Sequence, residues 1–372
     1  MAEIVIKNLR KAFGDFVAVR DSSFTINDGE FFMLLGPSGC GKTTTLRMIA
    51  GLELPTSGQI LLDGQDVAQV PASGRDIAFV FQMFALYPHM NVRRNISYPL
   101  VSQGVPRAEV RQRVHEVARI LGIEHILEKS VGGLSSGDRQ RVALGRAIVR
   151  RPKAFLMDEP LGALDAEFRE HMAEELRALH DHMNATTVYV THDQLEAMQM
   201  GDKIVVMNHG VVEQWGTPQE IYDFPATMFV ADFIGSPPMN FLRFEVALMA
   251  GADSVPLAGA SVPIPSLRAP AVSGRYALGV RPEHIRFSDG AAYRGRIITA
   301  EYLGTTQIVT LQTPNGELKA RIASSAPAKV GETVGLSFNT HTLSLFDAEG
   351  GAALPLDRAV ASTMRGKVTA HG

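Results

Sequence analysis

The sequence predicts an α/β domain interrupted by a helical insertion and followed by a smaller all-β domain. Three observations predict it. The apolar run FFMLL at 31–35 leads directly into the glycine-rich GPSGCGKT and then into the helix-like KTTTLRMIAGL. A second apolar run, KAFLMDEP at 153–160, ends in two acids. After about residue 235 the helical period disappears and short strand-like runs follow one another. Strand, glycine turn and helix form the βα unit of an α/β sheet, and short strands at close spacing form a barrel or sandwich.

Taken in order, Ile4, Ile6, Val17 and Val19 alternate with polar residues and predict strands at a sheet edge. FFMLL reads as a buried strand. Residues from about 84 to 150 form the insertion: Pro106 opens a segment with Val110, Val114, Val117 and Leu121 on one helical face, and Gly122 ends it. Leu164, Phe168, Met172, Leu176, Leu179 and Met183 recur every three or four residues, as on a helix. TTVYVTH at 186–192 is β-branched and strand-like, and KIVVMNHGVVEQWG predicts a hairpin around Asn208 to Gly210. The domains are therefore placed at 1–235, with the helical subdomain at about 84–150, and at 236–372. The last residues, ending MRGKVTAHG, are expected to be a loose tail.

Composition excludes several classes. Lys and Arg total 36 against 39 Asp and Glu, a net charge of −3, which gives no basic footprint for nucleic acid and leaves a local basic patch open. The start, MAEIVIKNLRKAFG, lacks the apolar core of a signal peptide, and no apolar run reaches the roughly 20 residues that span a bilayer. A membrane role would have to pass through a partner. Cys40 is the single cysteine, so neither an intrachain disulfide nor a cysteine metal cluster can form.

GPSGCGKT at 36–43 has the spacing G-x-x-x-x-G-K-[ST] between a strand and a helix. Its glycines let backbone N–H groups face phosphate oxygens, Lys42 adds a point charge, and the helix N-terminus adds its dipole. Thr43 can offer a hydroxyl to Mg²⁺. The candidate phosphate contacts are Gly36, Pro37, Ser38, Gly39, Cys40, Gly41, Lys42, Thr43 and Thr44. Asp158 and Glu159, at the end of a central strand, fall beside such a loop: Asp158 would hold Mg²⁺ and Glu159 would polarise water. Cys40, in that loop beside Lys42, is expected to favour the thiolate and to react with thiol reagents, with ATP protecting; burial of the thiol in the nucleotide-free protein is the alternative.

With these residues in place the chain resembles the ABC transporter ATPases over about its first 240 residues. LSSGDRQRVALGRAIVRRP at 134–152 is similar to the signature helix, Gln82 in VFQMFALYPHM to the Q-loop, LGALD at 161–165 to the D-loop, and His192 in YVTHD to the switch histidine. The resemblance implies a P-loop NTPase fold of the ABC type that binds ATP and Mg²⁺ between two subunits facing head to tail. It implies that Phe13 stacks on adenine, that Gln82 meets the metal and the attacking water, that His192 contacts the γ-phosphate, and that Ser135 and Gly137 touch the γ-phosphate of the opposing site. The family pattern L-S-G-G-Q is altered here to Leu134-Ser135-Ser136-Gly137-Asp138. Asp138 would place an anion near the ribose.

FVADFIGSPPMNFL at 229–242, GVRPEHIRF at 279–287 and LSLFDAEGG at 343–351 resemble the maltose-type importer ATPases. That resemblance implies a C-terminal regulatory domain of oligonucleotide-fold-like barrels. It also implies a second ATPase subunit, identical or paralogous, two transmembrane permeases, and indirectly an external solute-binding protein. The location implied is the cytoplasmic face of the inner membrane, and the cargo a carbohydrate, polyol or related solute. ALYPHMNVRRNI at 85–96, with Leu86, Tyr87 and Met90, resembles the socket for a permease helix. A soluble ABC ATPase acting on nucleic acid would call for coiled coils, zinc cysteines or a basic face, none of which the sequence carries. A silent regulatory subunit would call for loss of Lys42, Glu159 or His192, and all three are present.

Overall fold

The computed structural model describes residues 2–357 except 83, 163, 165, 272 and 273, and the backbone alone of 166–168. Asp165 of LGALD, the Phe168 side chain and the C-terminal tail lie outside the described residues. The chain divides into two compact units, Met1–Pro218 and Gln219–Gly372. The composition shift near 235 falls inside the second.

In the first unit the strands are β1 Ile4–Phe13, β2 Phe16–Ile26, β3 Phe31–Leu35, β4 Ser57–Leu62, β5 Gln65–Asp66, β6 Ile77–Val80, β7 Ala154–Asp158, β8 Thr186–Thr191, β9 Lys203–Asn208 and β10 Val211–Gly216. The helices are α1 Lys42–Ala50, α2 Val92–Ser102, α3 Arg107–Ile120, α4 Ser136–Ile148, α5 Ala166–Met183 and α6 Gln194–Met200. The main sheet has the order β10-β9-β3-β8-β7-β6. It is parallel from β9 to β6, and β10 returns antiparallel from β9. Every residue of β3 and of β8 is buried, as expected of parallel strands covered on both faces. The return from β9 to β10 is a two-residue loop, His209 and Gly210, with φ of 46° and 79°. Two consecutive positive φ values are the signature of a type I′ hairpin turn.

Of the first strands, β2 lies at a sheet edge and β1 inside the same sheet. β1 and β2 do not edge the main sheet; they form a separate antiparallel sheet of order β2-β1-β4-β5. Alternation along a strand reports one buried face and cannot say which sheet the strand joins. Here Ile4, Ile6 and Ile60 of the small sheet share one core with Phe32 and Leu34 of the large sheet and with Leu46 and Ile49 of α1. Helix α5 starts at Ala166, so Leu164 lies in the loop before it. Between β6 and β7 lie α2, α3 and α4, and α2 packs against α3 and α4. Helix α3 buries Val110, Val114 and Val117 and is followed by Gly122 at φ 66°.

The second unit holds helices α7 Pro218–Asp223, which begins at the boundary residue, and α8 Met228–Phe233. Its strands are β11 Asn240–Glu245, β12 Ser254–Leu257, β13 Ala260–Pro263, β14 Arg275–Val280, β15 Ile285–Phe287, β16 Arg294–Tyr302, β17 Thr306–Thr313, β18 Gly316–Ala323, β19 Thr333–Phe338 and β20 Ser344–Asp347. They form sheets of order β11-β14-β20, β12-β13 and β15-β19-β16-β17-β18, all antiparallel. One apolar core, including Leu242, Leu278, Val309 and Leu345, joins them.

Arg281, in the GVRPEH stretch, organises the entry to this unit. It is 2% exposed, and its guanidinium donates to the backbone carbonyls of Ala231, Ile234 and Tyr222 while lying over the Tyr222 ring. Tyr222 in turn donates to Glu283. Burial lowers the Arg281 pKa, opposed by Tyr222 and Glu283. Removing the guanidinium takes a donor from each of these carbonyls, of which Ala231 keeps a long bond from the Met239 N–H at 3.4 Å; each group left unsatisfied costs about 1–3 kcal/mol. Arg281→Met should therefore lower the denaturant midpoint of the second unit by an amount equivalent to about 3 kcal/mol. Chemical unfolding followed in a 219–372 fragment and in the full chain checks it, and a midpoint unchanged in both would show that the arginine is dispensable.

Candidate functional site

The parallel register brings three strand ends to one edge of the main sheet. Leu35 of β3 is level with Thr191 of β8, and Val190 is level with Asp158 of β7. The segment after β3 is the glycine loop, the residue after β7 is Glu159, and the residue after β8 is His192. Residues far apart in sequence thus share one small volume, as expected at the carboxyl ends of strands in an open α/β sheet.

The loop at 36–41 leads into α1 through Gly41, whose φ is 105° and whose missing Cβ would lie 2.6 Å from the Ala18 carbonyl oxygen. A side chain there is excluded both by conformation and by space. Gly39, at φ 79°, has open space where a Cβ would stand. Lys42 is 4% exposed, and its Nζ donates to the carbonyls of Gly36 at 2.7 Å and Pro37 at 2.9 Å. The ammonium is held inside the loop, where it can serve an anion on the same backbone.

Cys40 corrects an expectation. Its side chain is buried and packs in the core between the two sheets. Burial raises its pKa; the charge of Lys42 and hydrogen bonds pull it down but do not prevail. Sequence placed the thiol beside a lysine at a helix N-terminus, and the fold turned it away from solvent.

Thr43 Oγ1 donates to Asp158 Oδ1 at 2.9 Å. Burial raises the Asp158 pKa, with the Thr43 bond opposing and the Glu159 charge adding to the shift. A half-buried carboxylate joined to a hydroxyl is an oxygen donor set suited to a hard cation. Next in the chain, Glu159 has φ 44°, an uncommon conformation for a residue with a side chain. Its N–H donates to the Val190 carbonyl at 3.0 Å, and its own carbonyl accepts from the Gly162 N–H at 3.1 Å. The carboxylate is met from two sides: Gln82 Nε2 donates to Oε2 at 3.2 Å, and His192 Nδ1 lies 3.3 Å from Oε1. The structure therefore groups Lys42, Thr43, Gln82, Asp158, Glu159 and His192. Phe13 stands at the tip of the β1–β2 hairpin, 47% exposed, with the Lys11 ammonium 4.7 Å from its ring centre.

The altered signature starts α4. Ser135 caps the helix, its Oγ accepting from the Asp138 N–H at 3.1 Å and donating to Asp138 Oδ2 at 2.9 Å. This is a capping arrangement in which the third helical residue binds the cap side chain directly. The Ser135 proton is thus committed to an anion within its own chain. Gly137 is buried, and the Ser136 hydroxyl lies 3.4 Å from the Arg139 guanidinium.

Two residues that sequence patterns did not single out build the loop at 84–91. Asn95 is fully buried; it accepts from the Tyr87 N–H and donates to the carbonyls of Tyr87, Met90 and Asn91. Arg146 of α4 donates to the carbonyls of Phe84 and Ala85, both at positive φ, and its guanidinium lies 5.3 Å from the Tyr87 ring centre. Leu86, Tyr87 and Met90 are left half-buried on this braced loop. Asn95 and Arg146 carry no motif; a buried amide and a helix arginine are common, and only contact geometry marks them.

Comparison with known proteins places this geometry. Residues 19–162 match the ABC transporter family model, 235–285 the MalK OB fold domain, and 278–346 the TOBE domain. The chain is 46% identical over 371 residues to the trehalose/maltose import ATP-binding protein MalK of Thermococcus litoralis, covering 95% of this chain and 100% of that one. It is 44% identical to the trehalose import ATP-binding protein SugC of Mycobacterium tuberculosis, covering 96% and 99%. It is also 44% identical to the sn-glycerol-3-phosphate import ATP-binding protein UgpC of a Ruegeria species, covering 94% and 99%. Among solved structures, the dimeric bacterial ABC transporter cassette MJ0796 aligns with a TM-score of 0.53 and 31% identity over 58% of this chain and 98% of that one.

The Cys40 environment has a direct consequence. The raised pKa keeps the thiol protonated at neutral pH, so a maleimide should label the native protein far more slowly than the denatured one. The native rate should climb about tenfold per pH unit as the thiolate fraction grows. Mass spectrometry of the labelled peptide follows it, and equal native and denatured rates at pH 7 would contradict the buried thiol.

Proposed function

Because this chain belongs to the ABC transporter ATP-binding family and is the ATP-hydrolysing subunit of an importer, we propose that the solute it imports is a carbohydrate, polyol or related small molecule. The observation that carries this is likeness over nearly the whole chain, including the second unit, to proteins named for trehalose, maltose and sn-glycerol-3-phosphate import. The family fixes nucleotide binding and work at a membrane. No helix among the described residues is long and apolar enough to cross one, and in this reading permease partners carry the coupling. Uptake of labelled disaccharides and polyols by vesicles holding the reconstituted transporter tests the solute class. Transport confined to amino acids or inorganic ions would overturn it.

The site residues fit ATP with Mg²⁺. Residues 36–44 would hold the phosphates, with Lys42 as the charge, and Phe13 would give adenine a platform. Thr43, Asp158 and Gln82 would hold the metal, which when bound neutralises phosphate charge. Glu159 is the base that polarises the attacking water. Gln82 and His192 fix its two oxygens, and the left-handed backbone at Glu159 aims them. His192 is also placed to meet the transferring phosphate. Ser135, Gly137 and Asp138 would complete the site of a second ATPase subunit, identical or paralogous. The loop bearing Leu86, Tyr87 and Met90 would receive a permease helix. The implied location is the cytoplasmic face of the inner membrane, with an external solute-binding protein delivering cargo.

Glu159→Gln keeps the acceptor for Gln82 and loses basicity, so kcat should fall by roughly 100-fold or more with ATP binding retained. Steady-state hydrolysis together with nucleotide titration measures both, and near-normal turnover would remove Glu159 from the chemistry. In the assembled transporter, Asp138→Gln combined with Ser136→Gly should raise stimulated hydrolysis, because the Ser135 hydroxyl no longer serves an anion of its own chain. Unchanged hydrolysis would mean that the LSSGD form is functionally neutral.

A further inference from the structure

Beyond the groups that face the nucleotide, a buried polar cluster lies behind His192. Glu196 of α6 is 7% exposed. Its Oε2 accepts from the Tyr189 hydroxyl at 3.0 Å and from Thr191 Oγ1 at 2.8 Å. Thr191 Oγ1 also accepts from the Asp193 N–H at 2.9 Å. The residues on either side of His192 are thus tied to each other and, through Glu196, to α6. Asp193 caps that helix through the Leu195 and Glu196 N–H groups.

Arg169 of α5 reaches the same cluster from the other side. One terminal nitrogen donates to the Leu164 carbonyl at 2.9 Å, and the other lies 3.4 Å from Asp193 Oδ2. Its Nε is buried without a hydrogen-bond partner and stands 3.9 Å from Glu196 Oε1. A single guanidinium therefore touches the loop that leaves Glu159 and the turn that bears His192. The β7–β8 register already fixes the Glu159 backbone against Val190. Arg169 adds a second link, from the Leu164 carbonyl to the Asp193 carboxylate.

We propose that Arg169 and Glu196 are positioning residues, which hold His192 and the 159–164 loop in one geometry so that the Glu159 carboxylate meets its partners. Stability alone is a weak reason for such a pair. Taking the Glu196 carboxylate out of water is costly, Arg169 is only partly buried, and an apolar pair of like volume often does as well or better. The Arg169 Nε without a partner adds to that cost. What the charges supply and an apolar pair does not is direction: a planar guanidinium bonded to one carbonyl and set against two carboxylates.

The inference rests on Glu159 and His192 acting as proposed above, and the experiment separates the two ideas. ATP hydrolysis by the purified full chain is measured for Glu196→Gln, Arg169→Gln, the double variant, and for Glu159→Gln and His192→Ala as references. Glu196→Gln keeps an oxygen for Tyr189 and Thr191 and removes the charge facing Arg169. Each single variant should lose about tenfold in kcat with KM for ATP changed less than about twofold, and with a thermal midpoint that, although lowered by the uncompensated partner, stays well above the assay temperature. The double variant should be no slower than the slower single one, because the two residues act as one unit. If both references lose turnover while Glu196→Gln and Arg169→Gln stay within about twofold of the parent in kcat, the positioning role is wrong and the catalytic assignment stands. A rise in KM or a fall in thermal midpoint that accounts for the loss, or multiplicative losses in the double variant, would likewise reject it. If the references themselves retain turnover, the catalytic assignment fails and takes this inference with it.

Discussion

Everything at the site depends on the parallel register of β3, β8 and β7. Hydrogen bonding between parallel strands leaves no play along the strand axis, because a slip of one residue would turn every buried side chain to the opposite face. With Leu35 level with Thr191 and Val190 level with Asp158, the phosphate loop, the acid pair and the histidine leave the sheet at the same height. Because β3 and β8 are buried on both faces, a slip would expose nothing but would force differently shaped side chains into close-packed surroundings, and that makes the register costly to lose.

Around that frame, three of the side-chain residues at positive φ lie beside groups that the chain presents. Glu159, Phe84 and Ala85 all have positive φ, and each is held by bonds from another element: Glu159 by Val190 and Gly162, and the other two by Arg146. A side-chain residue in this region costs of order 1–3 kcal/mol and persists only where its surroundings over-determine it. The strained carboxylate residue and the strained loop at 84–85 are joined through the Gln82 segment, which contacts Glu159 directly.

The signature segment shows how one substitution changes the availability of its neighbour. The glutamine of the family pattern is replaced by Asp138, which accepts the Ser135 hydroxyl. A carboxylate is an acceptor only, so it orients that hydroxyl toward itself. Any ligand that needs the Ser135 proton must compete with an anion three residues away.

By itself the amino-acid sequence determined the βα order, the phosphate loop, the acid pair at the end of a buried strand and the β-rich second half, because each depends on local patterns: a glycine spacing, an apolar run, a period of two or of about 3.6. It also placed Lys42, Asp158, Glu159, Gln82 and His192 as candidates, and the fold brings those five to one strand edge. Tertiary structure alone decided which sheet β1 and β2 join, since alternation fixes a face and not a partner. It decided that Cys40 is buried and its pKa raised, since desolvation depends on what packs over a thiol and not on its neighbours in sequence. It decided too that Asn95, Arg146, Arg169, Glu196 and Arg281 are the braces. Their partners are mostly backbone carbonyls and hydroxyls that come together only after folding, and a carbonyl leaves no mark in the sequence.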